Sequence, residues 1–420
     1  MKKTTKKISA LLLAAVMTVS LAACGKTAPP APNSSESAPT SDGGAGQSAD
    51  KNTGSTGSFD LATTEFEYAG EFHDGYAWVA EKNGKLTLID KKGNIKYQSN
   101  HSRDNNYISF ESGVGYVGEE IIDLDGNVTY TLNNNRDDDG IYEEMIMQGT
   151  DKFLIRRTIS NMKENSTQFT VIDKNGVDLV KPIEGKASDD SSGWSHLGEG
   201  IFCKQYKKGE VGTQCECILN PNAGVSQTFP ASENGHAYGF SELAKTESGK
   251  VWQNYEGNDG GKPIWGVATF DLATMDSQLI QTEGAYYVSG KTAYINDAAY
   301  DLSGNKIADF PINGYKDTPI VYIGEYSDDG YVPVILQGKD GSAYITYLDK
   351  SGNERFSPIK IGKYNSDDKV CTPTHFISRV EGSTVTLYDN SGAAKTEISS
   401  DNKVELFEDY IISEGKYYFF

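Results

Sequence analysis

One loop of the sequence has the residue types and spacing of a calcium site. In Asn133-Asn134-Asn135-Arg136-Asp137-Asp138-Asp139-Gly140-Ile141-Tyr142-Glu143, the side chains of Asn135, Asp137, Asp139 and Glu143 alternate as oxygen donors around Gly140, which permits a sharp bend. Donors so spaced can surround calcium at about 2.3–2.6 Å. Asn135 stands where a first Asp is usual, and Ile146 sits where an EF-hand has its bidentate Glu. The same residues also read as a solvated acidic loop. Calcium is the one cofactor this sequence suggests; otherwise none is expected.

Other chemistry is weakly supported. His73, His101, His196, His236 and His375 lie outside Gly-x-Ser-x-Gly and His-Glu-x-x-His settings. Ser289-Gly290-Lys291-Thr292 has the end of a phosphate loop, but Gly284 is one residue too far upstream. With 59 Asp and Glu, carboxylate pairs arise by chance, and none is singled out for acid–base work. No catalytic residue is assigned, and the expectation is a protein that is not an enzyme. Trp78, Trp194, Trp252 and Trp265 suit a packed core. Trp252 and Tyr255, just before the glycine-rich 257–261, read as a loop and are the choice for a ligand-facing patch.

Phe202-Cys203 and Cys215-Glu216-Cys217 read as a hairpin turning near Gly209, which places Cys203 opposite Cys215 or Cys217. Buried free thiols, one disulfide or, least of all, a metal would each account for these cysteines and Cys371.

The elements behind these residues repeat. Leu86-Thr87-Leu88-Ile89-Asp90-Lys91-Lys92-Gly93 has counterparts ending in Asp173 and Gly176, Asp349 and Gly352, and Asp389 and Gly392. Degenerate copies carry Asp123 and Asp301, and weaker ones Asn220 and Asp271. The run before Asp alternates, so Thr should face away from its apolar neighbours on a half-buried strand. Asp accepts bonds from backbone N–H groups just beyond it, and Gly three residues on supplies the left-handed residue of a bulged hairpin. The turns fall 30 to 51 residues apart, the length of a propeller blade. The fold expected is all-β: a β-propeller of seven or eight blades over 59–420, two smaller β domains being the rival. The stretch 59–72 is expected to lend a strand to a last blade of mixed origin.

Phe72-His73-Asp74-Gly75-Tyr76 through Gly93 resembles the WG repeat of bacterial proteins, with Trp265-Gly266 the one literal pair. That resemblance implies a repeat-β domain and brings no catalytic residues.

Residues 1–7 carry four lysines and no acid, and an apolar run ends in Leu21-Ala22-Ala23-Cys24-Gly25. This resembles a bacterial lipoprotein signal. The resemblance implies cleavage after residue 23, a diacylglycerol and palmitate anchor on Cys24, and a place at the outer face of the cell membrane. An ordinary secretory signal is the alternative. Residues 24–58 are then the lipidated cysteine and a flexible linker, too poor in apolar side chains to form a core. The formal charge of −20 disfavours nucleic acid as a partner. Together these features point to a non-enzymatic binding platform for a protein or glycan, with a polysaccharide hydrolase as the alternative. A solute-capturing transporter protein would need helices, and no helical period is present.

Overall fold

The repeat seen at 72–97 folds as three strands of a four-stranded antiparallel meander. In the computed structural model the first sheet runs β1 (Tyr68–Ala69), β2 (Tyr76–Ala80), β3 (Thr87–Asp90) and β4 (Ile95–Gln98) in sequence order. The structure describes residues 57–420 apart from 83, 104–106, 135–139, 161–164, 186–192, 208–212, 229–236, 241–247, 260–261, 273, 275–276, 283–285 and 313. Cys24, the signal 1–23 and the linker as far as 56 lie outside the described residues.

Eight further meanders follow, spanning 108–131, 141–185, 194–228, 237–282, 286–309, 320–362, 375–399 and 404–419. The last two have three strands each and the others four. No helix occurs among the described residues.

Alternating side chains let each sheet bury both faces, one against the preceding sheet and one against the next. Trp78 and Leu88 pack on Phe110 and Val117 of the second sheet. Tyr116 and Ile121 meet Phe153 and Ile155 of the third, and Leu154 and Phe169 meet Trp194 and Phe202 of the fourth. One cluster joins Ile218 of the fourth, Trp252 of the fifth and Ile295 of the sixth. Tyr294 packs with Val334 and Leu348 of the seventh, whose Ile345 meets Phe376 of the eighth. Ile377 meets Leu406 and Ile411 of the ninth. The series returns on itself: Phe407, Tyr410 and Tyr417 pack on Phe66, Phe72 and Ala77. Sheets stacked in sequence and closed into a ring are a β-propeller, here of nine blades in place of the expected seven or eight. The continuous packing also replaces the rival of two separate β domains.

The blade count differs because the Asp turns mark only eight sheets. The ninth turns through Ser413-Glu414-Gly415-Lys416, a two-residue hairpin loop with φ of +51° at Glu414 and +76° at Gly415. The closure also differs from the expected mixed blade. The N-terminal stretch gives β1 to the first sheet, where Tyr68 and Ala69 pair with Ala80 and Val79. It reaches the ninth sheet through side chains and the Phe66 N–H, which donates to the Gly415 carbonyl at 3.0 Å.

The repeat threonines are a further correction. Thr87, Thr170 and Thr346 are buried, because the face opposite their apolar neighbours meets another sheet rather than water. Their hydroxyls are satisfied locally: Thr346 Oγ1 donates to the Phe356 carbonyl at 2.7 Å.

Candidate binding site

The turns that build the blades are structural. Asp90 Oδ1 accepts from the N–H groups of Lys92 and Asn94, each at 2.9 Å. Asp173, Asp349 and Asp389 hold their loops through the matching pair of N–H groups. Gly93, Gly176, Gly352 and Gly392 take φ between +75° and +82°. Burial works against the charge on Asp349, but hydrogen bonds from Asn353 and the loop backbone outweigh it and hold the carboxyl below the usual range. At Asp389 burial is likewise outweighed, by Lys395, Ser391 and the loop backbone, and its carboxyl is held well below that range.

Other residues singled out in the sequence are scattered. Trp252 does not face a ligand: it lies in the strand Lys250–Asp259, fully buried, with Nε1 donating to the Lys291 carbonyl at 3.0 Å. That strand runs on through residues 257–259, so residues 252–255 are strand, not loop. Tyr255 pairs through its backbone with Gly266, and its side chain lies outside the described residues. Asn135, Asp137 and Asp139 also lie outside them.

Glu143 is described, and it is not an open calcium ligand. It is 5% exposed, and its Oε1 accepts from Arg157 Nε at 2.8 Å. Oε2 accepts from the Tyr130 hydroxyl at 2.7 Å and the Asn133 N–H at 3.3 Å. Removing one partner of such a buried pair would strand the other. Among the described residues no group of three or more His, Cys, Asp or Glu is placed to hold a metal.

Cys203 pairs across the hairpin with Ile218, while Cys215 and Cys217 face Gln205 and Lys204, with the register shifting between Lys204 and Gln205. That bulge moves Cys203 away from the position opposite either cysteine. Cys203 and Cys217 are buried, and Cys371 is a half-buried free thiol. The histidines are turn and packing groups where described: His196 Nε2 accepts from the Gly200 N–H at 3.1 Å, and burial holds its pKa down.

The structure gathers a different set of residues. The first strands of the second, third and fourth sheets lie side by side, which puts that edge of each sheet at the inside of the ring. On this inner side a depression of about 520 Å³ opens between the seventh, ninth and first sheets. It is lined by Glu71 after β1, by Gly324 and Glu325 after the strand Ile320–Ile323, and by Phe407 and Glu408 after the strand Val404–Leu406. The fourth wall is the connector between the seventh and eighth sheets, including Tyr364, Asp367, Asp368 and Cys371. Part of that connector stands in for a missing inner strand. The Ile377 N–H donates to the Val370 carbonyl at 2.9 Å, and the Leu406 N–H to the Lys369 carbonyl at 2.8 Å.

Five carboxylates and one ammonium line the depression. Lys369 Nζ sits 2.6 Å from Glu71 Oε2 and 4.4 Å above the Phe407 ring. Tyr322 and Tyr364 face each other with centroids 6.0 Å apart. Burial, with the nearby Cys371, Asp368 and Asp367, pushes Tyr364 up to about 12. The sulfur of half-buried Cys371 packs among Tyr322, Tyr347 and Tyr364, and burial pushes its thiol up to about 12. The site thus offers carboxylates, neutral hydroxyls and aromatic faces, which suit binding of a cation. A thiol neutral at physiological pH is a poor nucleophile. The sequence did hold a signal for it, Tyr68-Ala69-Gly70-Glu71 recurring as Tyr322-Ile323-Gly324-Glu325, which the search for Asp turns passed over.

No protein-family model matches the chain, and no curated protein does. Solved structures similar in outline are propellers or contain them. BamB from Moraxella catarrhalis is 13% identical, with 83% of this chain and 97% of that chain covered at a TM-score of 0.34. The β-propeller domain of the Trilobed protease from Pyrococcus furiosus is 13% identical, over 80% and 96%, at 0.32. A prolyl endopeptidase is 9% identical, over 82% of this chain and 52% of that chain, at 0.39. Likeness at these scores is too distant to argue from, and the propeller rests on the closed ring of sheets.

Proposed function

We propose that the chain is an exported, lipid-anchored propeller acting as a non-enzymatic binding platform for a protein or glycan. The observation that carries this reading is the depression at the inner edge of three sheets and one connector, rimmed by carboxylates and walled by neutral tyrosines. The anchor and outer-face location follow from the basic head, apolar run and Cys24. The linker behind Cys24 would reach on the order of 30 Å as a coil, enough to clear lipid headgroups. The likeness to WG repeats rests on the residues quoted above.

The experiment has two parts. Cys24→Ser should move the protein from the detergent phase to the aqueous phase on detergent partitioning; an unchanged distribution would refute the anchor. A thermal-shift panel of basic peptides, cell-wall fragments and oligosaccharides tests the platform. A ligand at about 100 times its Kd stabilises by about 2.7 kcal/mol. The five carboxylates favour a second reading, a polysaccharide hydrolase, and turnover of labelled wall or capsule glycan would establish it.

A further inference from the structure

A second depression, of about 410 Å³, opens between the seventh, eighth and ninth sheets, and its lining differs in character from that of the first. Its floor is aliphatic: Ile361 lies in the last strand of the seventh sheet, Ile377 and Val385 in the eighth and Val404 in the ninth. Each is at most 7% exposed, so the floor is shallow and receives a short aliphatic group, not a long chain. Val380, 50% exposed, adds an apolar wall.

Three cations, Lys363, Arg379 and Lys403, converge on this floor in a chain whose formal charge is −20. Arg379 directly precedes Val380, Lys403 precedes Val404, and Lys363 lies two residues beyond Ile361. Lys363 is exposed and makes no ion pair among the described residues. Arg379 Nη2 donates to the Asn402 carbonyl at 2.6 Å, which steadies the guanidinium and leaves most of its five N–H groups for another acceptor. The turn that carries it is tightly seated: the Arg379 N–H donates to the Ile361 carbonyl at 3.1 Å, and a Cβ on Gly362 would lie 2.1 Å from the Arg379 carbonyl oxygen. Lys403 is paired with Glu405 at 3.1 Å. Of the two acids in the lining, Asp368 adds its attraction to Lys403, and Glu381 is exposed beyond Val380. The charge left open is therefore positive, Lys363 and Arg379 against Glu381.

Building on the binding-platform reading, we propose that this second depression captures the C-terminal end of a partner protein. The terminal carboxylate seats on Arg379 and Lys363, and the aliphatic side chain of the last residue covers the floor. A chain end carries carboxylate and side chain on one Cα, which suits cations that adjoin the aliphatic residues. Guanidinium takes a carboxylate through two parallel N–H bonds, and a guanidinium already held in place loses little freedom in doing so.

The test is fluorescence anisotropy on the purified chain with the N-terminally labelled peptide Gly-Gly-Gly-Leu, ending in a free carboxylate, and the same peptide amidated. The free acid should bind, more weakly as salt rises, and amidation should cost about tenfold or more. Serine in place of the leucine should cost about fivefold to tenfold. Arg379→Gln should cost about tenfold and Lys363→Glu about twofold to fivefold. Lys174→Glu, on an exposed turn of the third sheet, should leave binding unchanged. Should Arg379→Gln fail to fold, Lys363→Glu and the amidated peptide carry the test. Equal binding of acid and amide, or equal weakening by Lys363→Glu and Lys174→Glu, would overturn the proposal. An oligosaccharide or basic peptide that binds where the free acid does not would overturn it and leave the platform standing. Glycan turnover without peptide binding would overturn both.

Discussion

The hydroxyl of Tyr417 donates to the carbonyl of Gly70 at 2.6 Å, a buried bond between residues 347 positions apart in the chain. Beside it the Phe72 N–H donates to the Tyr410 hydroxyl at 2.8 Å, and the Phe72 and Tyr410 rings meet edge to face at 5.4 Å. These contacts close the ring where no backbone ladder joins first and last sheets. Tyr417→Phe should destabilise by about 1–3 kcal/mol, since it leaves a buried carbonyl without its donor. Urea unfolding measures this, and a change within about 0.5 kcal/mol would place the closure elsewhere.

Gly415 makes the same seam close-fitting. A Cβ there would lie 2.0 Å from the Phe66 carbonyl oxygen, at φ of +76°. Gly382 has a similar φ of +64° and open space around it. Alanine at 382 should cost only the left-handed penalty, about 1–2 kcal/mol. Alanine at 415 should cost clearly more; equal losses by the same unfolding assay would refute the role of close approach.

Acid should weaken the blade turns in a defined direction. The Asp389 carboxyl has a folded pKa below its unfolded one, so its contribution is present above the ordinary carboxylate value of about 3.9 and is lost as pH falls through the depressed folded value. The stability gap between wild type and Asp389→Asn should be widest near neutrality and close on acidification. A gap independent of pH, in melts across the acid range, would show that the charge contributes nothing.

The repeat threonines should differ by burial. Thr346→Val keeps the volume and removes the donor to Phe356, for an expected loss of about 1–3 kcal/mol. Thr386 is only half-buried. Thr386→Val should stay within about 0.5 kcal/mol, and chemical denaturation of the two variants decides the matter.

Cys371 should resist alkylation. With its thiol pushed up to about 12, little thiolate exists at pH 8. Iodoacetamide at that pH should modify the native chain at Cys371 far more slowly than the urea-unfolded chain, read by peptide mass; equal rates would contradict the burial.

Much of the blade plan was legible because Asp90, Asp173, Asp349 and Asp389 do local work: a carboxylate and a left-handed glycine make the same loop wherever they occur. The ninth sheet lacked that mark, since its Glu414-Gly415 turn closes without an Asp. Trp252 was misjudged because the glycines that follow it read as a loop, and Thr87 for a different reason. Alternation tells which residues share a face, not whether the opposite face meets water or another sheet. The depression was harder to see, because its walls come from three sheets and from a connector without periodicity. Only the matched Tyr68–Glu71 and Tyr322–Glu325 could have announced it.

The order of the packing clusters also bears on how the ring is assembled in time. Every seam but one joins sheets adjacent in sequence, so each can form as soon as its two meanders exist. The seam of Phe66 and Phe72 with Tyr410 and Tyr417 cannot, because it must span nearly the whole folded chain. Contacts so distant in sequence are slow to form. A chain emerging N-terminus first would therefore stack blades progressively and hold an open, aromatic edge until residues 404–419 arrive.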